Sequence, residues 1–264
     1  MTNAHDAIIH VAGWISISLV DVLENPSFTV WFNYCNFRCP WCQNAHVVDA
    51  VETKRIRVKD LIEEIKRAST LVEYVQATGG EPTIQADGLR ALFELCKDEA
   101  HIKTSLSTNG SRSDVIRGLL ESGLLDHAAV DVKAPLGNPS KYGEVIGLGE
   151  QRAVEIVEEV RSSVSLLVES VPFIEFRTTM VPTLLSKDDV VEVAVELREY
   201  IRNHGNAAYV IQQFLPSGTL IDPKFADVER TPIELLMETA KEVKDEAGLR
   251  RVYVRTQELG VVKI

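Results

Sequence analysis

The chain is poor in long apolar runs. No window of its 264 residues approaches ~18 uninterrupted apolar positions, the span a bilayer-crossing helix needs, so no membrane partner is expected. It also lacks a basic patch. With 28 Lys and Arg against 39 Asp and Glu, the net charge of −11 repels a nucleic-acid backbone, which disfavours nucleic acid as a partner. The opening stretch MTNAHDAIIHVAGW has neither a basic leader nor a long apolar core, so no secretion signal is read and a cytoplasmic location is expected. A GxSxG elbow, an HExxH helix and a dinucleotide fingerprint are all missing, leaving hydrolase and dehydrogenase readings without support. Linkers rich in Pro or Gly, low-complexity tracts and internal repeats are absent too. A single domain over residues 1–264 is the expectation.

Cysteine is scarce but concentrated. Of four in the chain, Cys35, Cys39 and Cys42 fall within eight residues, in NYCNFRCPWCQNAH (33–46). A reducing cytosol disfavours structural disulfides, and so close a spacing on one loop argues for metal ligation or redox work.

The rest of the sequence alternates strand and helix signals. Runs rich in β-branched and aromatic residues occur at SFTVWFNY (27–34), LVEYVQAT (71–78), IKTSLST (102–108), HAAVDVK (127–133), FIEFRTTMV (173–181) and AYVIQQFL (208–215). Between them, apolar residues recur at helical spacing, as in Val58, Leu61, Ile62, Ile65 and again in Leu89, Leu92, Phe93, Cys96. Further stripes run through Ile116, Leu119, Leu120, through Val157, Val160, Val164, through Val190, Val193, Leu197, and through Leu236, Ala240, Val243. Six strand–helix units emerge, with a terminal strand near RRVYVRT (250–256). Several strands are apolar on both faces, as a parallel sheet covered by helices requires, so the fold class is α/β.

Periodicity does not separate a barrel from an open doubly wound sheet. In both, functional groups gather where strands run into the following loops. That edge carries the cysteine loop, then Thr78-Gly79-Gly80-Glu81-Pro82, then Ser107-Thr108-Asn109-Gly110, then Asp131 and Lys133, Arg177, and finally Gln212 and Gln213. Taken singly, several of these have plain structural explanations. TGGEPT reads as a tight turn and lacks the Lys-Ser/Thr of a phosphate loop. Asp131 and Lys133 share one side of a strand and could form a simple ion pair. Arg177, set in an apolar run, calls for an anionic partner. Cys96, on a helical stripe, reads as a core thiol.

C-x3-C-x2-C supplies three soft thiolates, which select zinc or an iron–sulfur cluster over hard cations. His46, four residues past Cys42, would complete a Cys3His zinc tetrahedron. Against that, structural zinc serves small modules without a core, whereas this loop follows a strong strand of a large α/β chain. In the cluster reading, three thiolates leave one iron of a [4Fe–4S] cube free to bind substrate.

The loop CNFRCPWCQN (35–44), with aromatic Trp41 just before the last cysteine, resembles the cluster motif of radical S-adenosylmethionine (SAM) enzymes. GWISISLVD (13–21), ATGGEPT (77–83), STNG (107–110), DVK (131–133), FRTTMVP (176–182) and QQFLPSG (212–218) follow the order seen in glycyl-radical-enzyme activases, most of all the group like the anaerobic ribonucleoside-triphosphate reductase activating protein. Each piece alone is weakly specific; together, across residues 13–218, they are highly so.

The resemblance implies a single-domain, partial (βα)6 TIM-like barrel of the radical SAM type. Its core would cover about residues 27–218, flanked by an N-terminal extension (1–26) and a C-terminal helix and strand (219–264). It implies a [4Fe–4S] cluster with Cys35, Cys39 and Cys42 on three irons and SAM chelated by the fourth. Trp41 would lie near the adenine, and the Gly79-Gly80-Glu81 backbone near the methionine amino group. Thr108, with neighbouring Asn109, and Asp131, Lys133 and Arg177 match positions lining SAM or a nearby cation. Where some relatives carry an acidic residue before the threonine, this chain has Ser107. The implied activity is reductive cleavage of SAM to a 5′-deoxyadenosyl radical that takes hydrogen from a glycine of a partner glycyl radical enzyme, with ferredoxin or flavodoxin as electron donor. Direct modification of a small molecule or RNA is the alternative, and a zinc-stabilised interaction module a third reading.

Overall fold

A computed structural model describes residues 4–202, 204–216 and 220–264; Ser217 and Gly218 of the QQFLPSG stretch lie outside the described residues. In chain order the elements are β1 (Ile8–Val22), β2 (Asn25–Phe32), α1 (Ala45–Val48), β3 (Lys54–Arg57), α2 (Val58–Ala68), β4 (Tyr74–Gly79), α3 (Ala86–Asp98), β5 (Lys103–Thr108) and α4 (Ser113–Glu121). There follow β6 (His127–Asp131), α5 (Pro139–Ile146), α6 (Glu150–Ser170), β7 (Phe173–Met180), α7 (Lys187–Ile201), β8 (Ala207–Gln213), α8 (Ile233–Ala247), β9 (Val252–Thr256) and β10 (Gly260–Lys263).

All of these strands belong to one ten-stranded sheet, ordered β10-β9-β8-β7-β6-β5-β4-β2-β1-β3. From β2 to β9 every neighbouring pair is parallel. β1 and β3 at one end and β10 at the other run antiparallel. The expected α/β architecture is present, and the sheet continues through both terminal extensions. The terminal strand β9 is a seventh parallel member paired to β8, with Gln212 opposite Arg255. The N-terminal segment holds β1, fifteen residues long, which pairs with β2 over most of its length.

Strand side chains alternate between two faces. One set, including Phe28, Val30, Val75, Leu106, Val130, Phe176, Ile211 and Val254, joins the buried residues of the helices in the main core. The helices bury their apolar stripes there, among them Leu61, Leu92, Ile116, Val160, Val193 and Leu236. The other set faces inward. At the amino ends of the strands it forms a small apolar plug of Val22, Leu23, Tyr74, Phe173, Ala208, Val210 and Tyr253. Leu23, at the tip of the β1–β2 hairpin, is tied to β7 by its N–H, which donates to Glu175 Oε1 at 2.7 Å. Above the plug the inner face turns polar.

Candidate functional site

The carboxyl ends of the central strands open into a cavity of about 390 Å³. Every parallel strand from β4 to β9 contributes to its wall: Thr78 and Gly79, Ser107 and Thr108, Asp131, Arg177 and Thr179, Gln212 and Gln213, and Arg255. The cysteine loop forms the roof, with Cys35, Cys39, Trp41 and Cys42 all lining the space. Functional residues separated by more than 200 positions in sequence thus converge on one chamber.

The loop is held from both sides. Cys42 N–H donates to Cys39 O at 3.0 Å, closing a turn that sets these two thiols together. Phe37 N–H points at Cys35 Sγ, 3.4 Å away. Asn109 Nδ2 donates to Asn36 Oδ1 at 2.9 Å, and Asn36 Nδ2 donates to Ser111 Oγ at 2.7 Å, stitching the loop after β5 to the loop after β2. On the opposite side α5 carries the load: Trp41 Nε1 donates to Val145 O and Arg38 N–H to Ile146 O, both at 3.0 Å. This short helix was not read from the sequence. Its signals are local: Asn138 caps it, Pro139 opens it, and Gly147 at φ 70° ends it in the left-handed conformation.

Gly79 and Gly80 are required by the fold itself. A Cβ on Gly80 would sit 1.8 Å from the Tyr34 carbonyl oxygen, and one on Gly79, whose φ is 115°, would sit 2.4 Å from that of Phe32. The turn after β4 therefore lies directly on the backbone that launches the cysteine loop, with Gly80 N–H donating to Phe32 O and Glu81 N–H to Tyr34 O. Glu81 is wholly buried and points away from the cavity. Its Oε1 accepts from Thr83 and, at 2.8 Å, from Thr108 Oγ1; its Oε2 accepts from Asn109 N–H at 2.7 Å. It is a strut between the loops after β4 and β5. Burial raises its carboxyl above the usual range, and these donors oppose that rise.

Asp131 and Lys133 form a pair at 2.7 Å within the cavity wall, rather than on the outer surface. The Lys133 ammonium also lies 5.2 Å over the Trp41 ring, a cation–π contact that fixes the indole from below. Burial lowers the affinity of Lys133 for its proton, but the charge and hydrogen bond of Asp131 raise it further, so the side chain stays charged. Arg177 found the anion its apolar strand called for: its Nε and Nη2 reach Glu175 Oε2 at 2.8 and 2.7 Å, while Nη2 donates to Asp21 O at 2.6 Å. Glu175 is fully buried. Burial would raise its carboxyl, and Arg177 and His127 override that, holding it well below the ordinary carboxylate range.

The three thiols are free and face the same space. Burial pushes Cys35 and Cys39 up to about 12 and raises Cys42 as well, with Lys133 opposing each rise. Three free thiols on one short loop, Cys39 buried and Cys35 and Cys42 half-buried, face one polar chamber, and soft sulfur donors so arranged fit an iron–sulfur group. His46 does not join them. It is exposed on α1 and lines a separate groove with Gly13, Trp14 and Trp31. Among the described residues, no three Cys, His, Asp or Glu side chains converge on the single point a tetrahedral zinc needs. Cys96 is fully buried in the helix-side core, as read.

Of the wall residues, Thr179 escaped the sequence reading, and so did Arg255, on β9. The only available signal for Arg255 was the period-two pattern of RRVYVRT, which puts Arg251, Tyr253 and Arg255 on one face.

A sequence profile for the Radical SAM superfamily matches residues 29–166. Among curated proteins, the chain is 28% identical over 207 residues to a Methanocaldococcus jannaschii protein provisionally assigned as a glycyl-radical enzyme activating enzyme, covering 78% of this chain and 80% of that one. It is 28% identical over 236 residues to the pyruvate formate-lyase 1-activating enzyme of Escherichia coli, covering 84% and 89%. A shorter match, 29% identical over 149 residues, covers 49% of this chain and 58% of the 7-carboxy-7-deazaguanine synthase of Thermococcus kodakarensis. The solved structure "Native anSMEcpe with bound AdoMet" aligns at a TM-score of 0.43 and 17% identity over 67% of this chain; the chain spans about half of that structure's length, 48%.

Proposed function

This chain belongs to the radical SAM superfamily, whose enzymes use a [4Fe–4S] cluster and SAM, and from that premise we propose that it activates a glycyl radical enzyme. The single observation that carries the proposal is the roof of three free thiols over a polar chamber walled by six parallel strands. The long matches to the pyruvate formate-lyase 1-activating enzyme of Escherichia coli and to the provisionally assigned activating enzyme of Methanocaldococcus jannaschii support the choice of reaction.

When bound, the cluster and SAM would supply, with one electron from an external donor and release of methionine, a 5′-deoxyadenosyl radical able to take a hydrogen atom from an unactivated carbon. In this proposal Cys35, Cys39 and Cys42 would hold the cluster through their thiolates, with SAM bound beside it in the chamber. Trp41, pinned by Val145 and by Lys133, offers a fixed aromatic face to the adenine. Lys133 supplies the cationic counterpart to an anionic cluster and to the SAM carboxylate, and Asp131 keeps it aimed. Thr108 and Asn109 form the wall beside Cys35, braced by Glu81. Gly79 and Gly80 let main chain approach where no side chain fits. The chamber orients one C–H bond and excludes water, so that the radical meets a single donor.

The partner's glycine would enter as a peptide loop. Glycine suits this because a radical at its Cα is stabilised by the flanking amides. A ferredoxin or flavodoxin would deliver the electron. The unbroken sheet supports reading the whole chain as one catalytic domain. A second reading, direct modification of a small molecule, is favoured by one observation, the match of half the chain to 7-carboxy-7-deazaguanine synthase.

The test is to purify the protein without oxygen, supply SAM, reductant and a candidate glycyl radical enzyme, and record electron paramagnetic resonance. An oxygen-sensitive glycyl radical on the partner is expected. Deoxyadenosine formation with no such radical on any candidate encoded beside it would favour the second reading.

A further inference from the structure

The inner face of β7 to β9 carries two guanidinium groups, and only one of them is matched. Arg177 lays its Nε–Nη2 edge against Glu175. Arg255 presents the same edge, Nε and Nη2, with both nitrogens buried and neither bonded to any described residue. Its side chain lines the chamber under the cysteine loop. Of the nearby anions, Glu175 is committed to Arg177 and Leu23 N–H and Asp131 to Lys133, while Asp21 lines the same chamber and makes no bond to Arg255 Nε or Nη2. Burial, together with the repulsion of Arg177, lowers Arg255 to about 10, so it remains charged at neutral pH. A charged, desolvated fork with two parallel donors is costly to leave unpaired, and its shape fits the two oxygens of a carboxylate.

We propose that Arg255 is a substrate-recognition residue that receives a carboxylate of the hydrogen-donating molecule inside the chamber. This deepens the reading above and rests on it. The carboxylate belongs to the molecule that loses hydrogen, either an acidic residue of a peptide loop or a carboxylate-bearing metabolite, and is distinct from that of SAM.

Arg255→Met and Arg255→Gln separate the alternatives. In the cofactor-free protein an unmatched buried charge destabilises the fold, so removing it in Arg255→Met raises the melting temperature by about 3 °C or more. A fall in both variants means that the guanidinium has a structural partner, such as Asp21, and overturns the proposal. N-acetyl-Gly-Asp-amide and succinate serve as probes, against N-acetyl-Gly-Asn-amide and succinamide. A melting-temperature rise in the wild-type protein from either carboxylate, absent from its amide and from both variants, supports the proposal. A response to the peptide assigns a polypeptide source and one to succinate a small-molecule source; no response to either overturns the assignment. With the site loaded, a tenfold or greater loss of SAM affinity in Arg255→Met gives the guanidinium to SAM itself and also overturns it. Iron and sulfide content is read in parallel. Zinc without sulfide would sink the radical reading, whereas the melting experiments bear on Arg255 alone.

Discussion

The two faces of the sheet are built by opposite rules, although the same strands make both. Phe176 points outward into the helix-side core, while Glu175 and Arg177, its neighbours, point inward and are almost wholly buried. Outside, the strands meet Leu, Ile, Val and Phe from the helices. Inside, Ser105 Oγ donates to Gln76 and meets His127 Nδ1 at 2.8 Å, His127 Nε2 lies 3.3 Å from Glu175 Oε1, and Glu175 holds Arg177. Apolar burial stabilises the fold by about 25 cal/mol per Å². Buried ion pairs contribute little net stability once desolvation is counted. The outer face therefore holds the molecule together, and the inner face is reserved for chemistry.

Four experiments probe that contrast. The largest effect belongs to the thiols. Replacing Cys35, Cys39 or Cys42 with alanine should abolish SAM cleavage, by about a thousandfold or more in deoxyadenosine formation, because a cluster held at two corners is lost. Cys96→Ala, on the outer face, should keep full iron content and show only a modest loss of stability. Equal iron loss at Cys96 would erase the distinction between the faces.

Glu175→Gln and Phe176→Ala form the second test, adjacent positions with opposite exposures. Phe176→Ala should cost about 3–5 kcal/mol by denaturant titration, from lost burial and the cavity left behind. Glu175→Gln should cost about 3 kcal/mol by leaving Arg177 uncompensated. Their pH profiles should differ. Glu175 is held below the carboxylate range in the fold, so its contribution is fully present above the unfolded value of about 4.3 and fades as pH falls below it. The gap between wild type and Glu175→Gln should hold from pH 7 to about 5 and shrink under about 4, whereas the Phe176→Ala gap should not track that carboxyl.

Gly80→Ala comes third. With a Cβ 1.8 Å from the Tyr34 carbonyl, the turn after β4 must lift off the cysteine loop. Iron loading should fall by about tenfold, with stability lowered by about 1–3 kcal/mol. Normal iron loading would mean that the two loops are not coupled. The smallest effect is expected of Trp41→Phe, which removes the bond to Val145 O and leaves a ring over Lys133. It should cost about 1 kcal/mol in thermal unfolding and weaken SAM binding only a few fold.

Much of the outer face was legible in the sequence because burial writes itself as periodicity. All seven parallel strands and six of the helices coincide with runs read from apolar spacing. The remaining elements fail that test for physical reasons. β1 leaves Ile15, Ile17, Leu19 and Val20 exposed, so its alternation is not one of core against solvent, and it was read only as a motif upstream of the cysteines. α5 spans eight residues with Gly143 inside it, too short for a stripe and visible only through its caps. At the site, the cysteines, Thr108, Asn109, Asp131, Lys133 and Arg177 all line one chamber. Glu81 was read for its backbone alone, and its side chain proves to be a brace behind the wall. Arg255 was not found because sequence gives the strand face but not which neighbours leave a guanidinium unmatched.

The identity of the group on the three thiols is read from the iron, acid-labile sulfide and zinc content of protein purified without oxygen, set beside its yield of deoxyadenosine from SAM under reduction. The account predicts about four irons and four sulfides per chain and deoxyadenosine formed in a thiol-dependent manner. Stoichiometric zinc with no sulfide and no deoxyadenosine would contradict it.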